Sequence, residues 1–153
     1  MPTSQPKIDI SIRKQRLELK RGRKTLRTYP ISSSRFGLGT KEGSMKTPLG
    51  KFRVAEKIGH GAASGTIFKA RVAMQPGEPL PKTNDFVTSR ILWLDGLGER
   101  NANTHARFIY IHGTKHEDKI GMPDSHGCIR MRNADVIELF DLVDEGTPVR
   151  ISK

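Results

Sequence analysis

Apolar and polar side chains alternate through Ile8-Asp9-Ile10-Ser11-Ile12 and again through Arg16-Leu17-Glu18-Leu19-Lys20. A period of two puts the aliphatic residues on one face of an extended chain, which predicts half-buried strands rather than helices. Arg21-Gly22-Arg23-Lys24 predicts a turn between two such strands, and Thr25 to Ile31 continues the meander. A loop is expected over Ser32 to Thr40, closed by Thr47-Pro48-Leu49-Gly50, with strand character resuming at Lys51-Phe52-Arg53-Val54-Ala55. Arg90-Ile91-Leu92-Trp93-Leu94-Asp95 and Arg107-Phe108-Ile109-Tyr110-Ile111-His112 are short, nearly continuous apolar runs, the pattern of strands buried on both faces. Thr147 to Ile151 reads as a final strand. The period changes once. Val136, Ile137, Leu139, Phe140 and Val143 form a helical stripe over about residues 133–145, with Asn133 as the expected N-cap, Asp135 at the positive dipole end and Gly146 as the expected stop.

Two glycine- and proline-rich stretches punctuate this pattern. Gly59-His60-Gly61-Ala62-Ala63-Ser64-Gly65 has neither the GxGxxG spacing nor a Gly-Lys-Ser/Thr end, so it reads as a hairpin tip or lid and not as a phosphate loop. Gln75 to Pro81 is a second loop. The sum is one mainly β domain with one helix, and 153 residues suit a single domain. A tail over residues 1–6 and a domain over 7–153 are the expected boundaries.

Composition narrows the class. Apolar residues make up 35% and charged residues 28%, too apolar for a disordered chain. No apolar run approaches the roughly 18 residues of a membrane span, and Met1 to Lys7 has no apolar signal region. A cytoplasmic protein without membrane contact is therefore expected if Met1 is the native start; removal of an export signal would place it in the periplasm or cell wall instead. The net charge of +11 lies wholly in residues 1–53, where 14 Lys and Arg face only Asp9, Glu18 and Glu42. Such a patch suits an anionic substrate or polymer. Nucleic acid is not expected, because only Tyr29 and Phe36 accompany the basic run and no helix-turn-helix, zinc-finger or RNP pattern occurs.

The candidate chemistry sits between residues 112 and 131. His105, His112, His116 and His126 lie close together, and the single cysteine, Cys128, follows His126 by two residues. A lone Cys rules out a disulfide framework, and with nearby histidines it is the pattern of a thiol nucleophile, which an imidazole deprotonates or holds as a thiolate–imidazolium pair. Gly127 permits a tight turn beside the sulfur, so that amides can face a developing oxyanion. His112, followed by Gly113, would stand at a strand tip. A zinc site from His112, His116, His126 and Cys128 is the rival, weakened by Gly113 after a β run and by the missing Glu of HExxH. His60 and His105 receive no role.

The string Ile111-His112-Gly113, then Ser125-His126-Gly127-Cys128-Ile129-Arg130-Met131, resembles the signature of the YkuD-type L,D-transpeptidases. The upstream order resembles that family too, with an opening meander, the Ser32 to Gly39 stretch and Thr47-Pro48-Leu49-Gly50-Lys51-Phe52; the likeness runs over about residues 7–151. Two features depart from it. Only 12 residues separate His112 from Ser125, slightly fewer than usual, and Arg130 stands where many members have asparagine. The resemblance implies a YkuD-like β-sandwich or barrel with one principal helix and no cofactor. It implies Cys128 as nucleophile and His112 as base and later acid, oriented by a backbone carbonyl. Ser125, His126 and Gly113 would shape the site, and the Gly127 and Cys128 amides would form the oxyanion hole. The donor would be a peptidoglycan stem tetrapeptide cut before its terminal D-alanine. A thioester would pass to an amine, giving a 3-3 cross-link, or to water, as in a carboxypeptidase of muropeptide recycling. Arg130 and the basic first third would complement the carboxylates of the stem peptide. A monomer is expected, and carbapenems are expected inhibitors.

Overall fold

The computed structural model describes residues 5–82 and 85–153. The strands are β1 (Pro6–Ser11), β2 (Arg16–Arg21), β3 (Lys24–Pro30), β4 (Gly50–Ile58), β5 (Ile67–Lys69), β6 (Val72–Ala73), β7 (Val87–Gly96), β8 (Tyr110–Gly113), β9 (Ile129–Met131) and β10 (Pro148–Ser152), with one helix, α1 (Asn133–Leu142). The expected mainly β domain with one helix is what forms, and its sheet is open. Neighbours run β3-β2-β1-β10-β4-β7-β5-β6, with β8 on β7 and β9 on β8. The domain begins inside the expected tail, since Pro6 already belongs to β1; residues 1–4 lie outside the described residues.

Period-two patterning explains the first half of the sheet. Ile8, Ile10, Leu17 and Leu19 turn to one face, where Phe52, Val54, Val149 and Ile151 join them, and α1 covers that face with Val136, Leu139 and Phe140. The charged alternates stay in water. β7 and β8 are buried on both faces, which their continuous apolar runs require. Leu92, Leu94 and Ile111 enter the main core, whereas Ile91, Trp93 and Tyr110 pack on the other side with Phe68 and Cys128. That second, smaller cluster is the floor of the site.

Some expected boundaries move. β8 starts at Tyr110 rather than Arg107, because Phe108 takes φ 57° and turns the chain just before it. β5, β6 and β9 are too short for any periodicity to register. The helix ends at Leu142, with Arg132 and not Asn133 as N-cap, and Gly146 lies beyond the C-cap Val143. Asn133 is the first helical residue and a junction. Its amide and Nδ2 donate to Glu117 Oε2 at 2.7 and 3.0 Å, and Nδ2 also donates to Thr114 O at 2.9 Å. Its Oδ1 accepts from Thr88 Oγ1 at 2.5 Å and Ser89 Oγ at 2.6 Å. A carboxylate from a neighbouring 3-10 turn, Glu117–Lys119, thus does what a capping side chain would do locally. The 59–65 loop is tied to the β7 bulge by Gly65 N–H on Ser89 Oγ and by Arg90 on Ala62 O.

Candidate active site

β8 and β9 run parallel, with Ile111 opposite Ile129, His112 opposite Arg130 and Gly113 opposite Met131. Alternation sends Ile111 and Ile129 into the core and leaves His112, Arg130, Tyr110 and Cys128 on the opposite face. His112 and Cys128 are therefore diagonal neighbours, about 7–8 Å apart at the backbone and within side-chain reach. Two residues distant in sequence share one small surface because a three-residue strand returns beside β8.

His112 is 1% exposed. Its Nδ1 bonds Gly113 O at 2.5 Å. A carbonyl only accepts, so Nδ1 carries the proton and Nε2 keeps a bare lone pair. Nε2 is buried with no hydrogen-bond partner among the described residues. Burial holds the His112 pKa below its ordinary value, helped by Arg130 and opposed by Asp85 and the Gly113 carbonyl. The resting imidazole is neutral and its open nitrogen is a base.

The Cys128 sulfur makes different contacts from those expected. Its S–H donates to Phe108 O at 3.3 Å, and Tyr110 N–H donates to it at 3.3 Å. Cys128 keeps partial exposure, yet burial pushes its thiol up to about 12, against the Tyr110 amide and the charges of Arg130 and Arg107. Of the two expected arrangements, burial disfavours a resting thiolate–imidazolium pair and favours a thiol that His112 deprotonates during reaction.

The turn before Cys128 is fastened from below. Ser125 Oγ donates to Cys128 O at 2.6 Å and accepts from Gly127 N–H at 3.3 Å, and Thr47 Oγ1 donates to Gly127 O at 3.0 Å. Gly127 adopts φ 121°, which a side chain would strain. Its amide is turned toward Ser125 and not toward the cleft, which corrects its expected place in an oxyanion hole. Gly113 has no space for a Cβ, which would lie 2.6 Å from Asn133 Oδ1 and Thr88 O.

Arg130 also differs from expectation. It is 3% exposed, with Nε on Asp85 Oδ1 at 2.8 Å and Nη1 on Asp124 Oδ2 at 2.6 Å. Two carboxylates already offset its charge, so it anchors the site more than it offers a free cation to substrate. Asp85, which no sequence pattern singles out, lies among three cationic or protonatable groups. Burial raises its carboxyl, and His112, Arg130 and His126 outweigh that, leaving its pKa below the ordinary value. His126 Nδ1 lies 3.7 Å from Asp85 Oδ2, and its Nε2 is 3.3 Å from Arg35.

Two cavities meet at His126. One, of about 290 Å³, lies toward Glu42, Met45, Arg107 and Phe108; the other, of about 180 Å³, lies toward Arg35, His116, Lys119 and Arg130. His116 faces this second cavity. Among the described residues no three His, Cys, Asp or Glu side chains converge to hold a metal, so the zinc reading finds no ligand set. His105 stacks on Trp93 at 3.9 Å, and His60 on Phe140 at 6.4 Å.

Residues 5–151 match the YkuD family, described as the L,D-transpeptidase catalytic domain. The chain belongs to that family. Among its L,D-transpeptidase relatives, YkuD of Bacillus subtilis (strain 168) is 29% identical over 146 residues, covering 95% of this chain and 65% of that protein. An L,D-transpeptidase structure from Xylanimonas cellulosilytica shares the fold at TM-score 0.64 and 20% identity, over 99% of this chain and 62% of that one. So does LdtMt1 in complex with imipenem, at TM-score 0.60 and 21% identity, over 96% and 58%. The chain thus spans less than two thirds of the length of these L,D-transpeptidases. Among the described residues no helix is long and apolar enough to cross a membrane.

Proposed function

We propose that this L,D-transpeptidase domain is a cysteine acyltransferase of peptidoglycan stem tetrapeptides. The reading rests on one observation above the others: the orphaned Nε2 of His112 and the Cys128 thiol share one face of paired strands. Since both groups rest neutral, attack and proton transfer are coupled. Sγ adds to the carbonyl that precedes the terminal D-alanine, and His112 Nε2 takes the thiol proton. The Asp85 charge supports the imidazolium so formed. With the Gly127 amide occupied, the Cys128 amide is the oxyanion donor of this turn. Collapse breaks the peptide bond, His112 returns the proton to the departing amine, and a thioester remains. An amine then accepts the acyl group to give a 3-3 cross-link, or water accepts it to give the tripeptide. The test is a defined tetrapeptide, with and without excess acceptor peptide, read by mass. Release of D-alanine that disappears in Cys128→Ala supports the reading; intact tetrapeptide with the wild-type chain overturns it. Cross-linked dimer in the second tube identifies transfer, and tripeptide in both identifies hydrolysis.

A further inference from the structure

A group of cations without partners gathers around β10, which lies three strand spacings from β8, about 15 Å along the sheet. Lys51 of β4 stands directly opposite Arg150 of β10, and both are exposed. Like charges in such a cross-strand pair, about 5 Å apart at Cβ, repel each other. The acids on the same strands are turned elsewhere. Asp9, opposite Arg150 on the other side, bonds Lys20 at 3.4 Å, and Asp95 bonds Arg53 at 3.2 Å. Lys7, two residues before Asp9 on β1, is exposed too. Among the described residues no ion pair holds Lys7, Lys51 or Arg150. These three cations rim a cavity of about 230 Å³. Ile8, Phe52 and Val149 send their side chains into the core beneath it, so its floor is strand backbone and the ring of Pro148. Leu97, 57% exposed, forms one wall and continues into a second cavity of about 440 Å³ that runs past Gly98 to Glu99 and Arg100. With the Phe52 ring buried, no aromatic side chain among the described residues faces either cavity. The result is one groove with uncompensated positive charge at its rim and an apolar shoulder in its middle.

We propose that this groove is a second binding site, separate from the catalytic one, for a linear polymer of phosphodiesters joined by short aliphatic polyol spacers. One phosphate sits between Lys51 and Arg150, where its oxygens accept from both cations at once and the repulsion between them is relieved. A neighbouring phosphate meets Lys7, and the spacer lies on Leu97 and Pro148. Nucleic acid fits less well, because its bases find no ring on which to stack. A bilayer fits less well too, because its flat surface does not enter a depression. Nothing in this site depends on the chemistry of Cys128.

The full chain is titrated with a fluorescent oligomer of glycerol phosphate, with single-stranded DNA of equal charge, and with phosphatidylcholine vesicles that contain phosphatidylglycerol. The oligomer should bind tightest of the three. Its log K should fall by about two for a tenfold rise in salt, as three phosphate contacts require. Lys51→Gln combined with Arg150→Gln should weaken it about five- to thirtyfold. Arg23→Gln combined with Lys24→Gln removes the same charge from the exposed turn between β2 and β3, and should change it less than about twofold. Leu97→Ser should weaken the glycerol-spaced oligomer more than inorganic polyphosphate, which has no spacer to lay on the leucine. All five positions are exposed, so each variant keeps its core and thermal unfolding checks that it folds. Equal losses from the two double variants would reduce the effect to bulk charge and overturn the site. Tighter binding to DNA or to vesicles, or no binding of the oligomer at all, would overturn it as well.

Discussion

The backbone amide of Tyr110 donates to the sulfur of Cys128 across 3.3 Å, while the thiol itself points to Phe108 O and not to His112. The sulfur is held by the strand beside it, and the His112 imidazole stands apart with its Nε2 lone pair unused. Alkylation of Cys128 should therefore be slow at neutral pH and still rise above pH 9, with no inflection below the free-thiol value of about 8.5. His112→Ala should change that profile little but lower turnover by about 100- to 10,000-fold. Iodoacetamide kinetics against pH and a turnover assay check both; an inflection near pH 6 would restore the ion pair.

Acylation by a carbapenem needs only the thiol, the base and room for a small bicyclic ligand. Imipenem is bound in the LdtMt1 structure of the same fold. Intact-mass spectrometry should show one carbapenem added to the chain and none added to Cys128→Ala.

Ser125 holds the turn from beneath. Ser125→Ala removes the bond to Cys128 O and strands the Gly127 amide in a buried position. The expected loss is about 1–3 kcal/mol in urea unfolding, with a fall in turnover while the Cys128 thiol remains present by titration.

Gly113→Ala should be worse for its size. The added carbon would meet Thr88 O and Asn133 Oδ1 at 2.6 Å, where neither the β7 backbone nor the helix start can move freely. A loss of about 1–3 kcal/mol is expected from overpacking, together with a displaced Gly113 carbonyl and a misaimed His112. Thermal unfolding measures the first, and loss of turnover in the folded variant measures the second.

His112 makes the fold sensitive to acid. Burial depresses its pKa below the unfolded value of 6.5, so the unfolded chain binds the proton more readily. Its contribution is complete above pH 6.5 and is lost as pH falls through the folded value. Melting temperature should drop from pH 7 toward pH 5, and His112→Gln should flatten that part of the curve; an unchanged slope in the variant would assign the effect to other groups.

Much of this was legible in the sequence, and what escaped has a physical pattern. Strands β1, β2, β4 and β7 follow from alternation or from continuous apolar runs, and Ser125 to Cys128 with His112 marks the candidate chemistry. Asp85 escaped because it lies in an aperiodic loop and acquires its role only when Arg130 and His126 fold beside it. The same contact turns Arg130 from an apparent substrate cation into an anchor. Asn133 looked like a cap because its type suits one, but a carboxylate from outside the helix occupies that function. The state of the thiol escaped as well, since desolvation is a property of packing and not of neighbours in sequence.

The place of β10 carries a consequence for how the chain is made. β10 pairs parallel with β1 on one side and antiparallel with β4 on the other. Among the described residues the basic meander of β1, β2 and β3 therefore joins the rest of the sheet only through a strand that leaves the ribosome after the helix. Until then β1 presents Ile8 and Ile10 on an unpaired edge, the kind of edge that recruits other chains. Pairing across so long a sequence separation is slow. Like-charge repulsion from the positive charge concentrated on that meander opposes pairing between such open edges, so the most basic third of the molecule carries its own protection against misassembly.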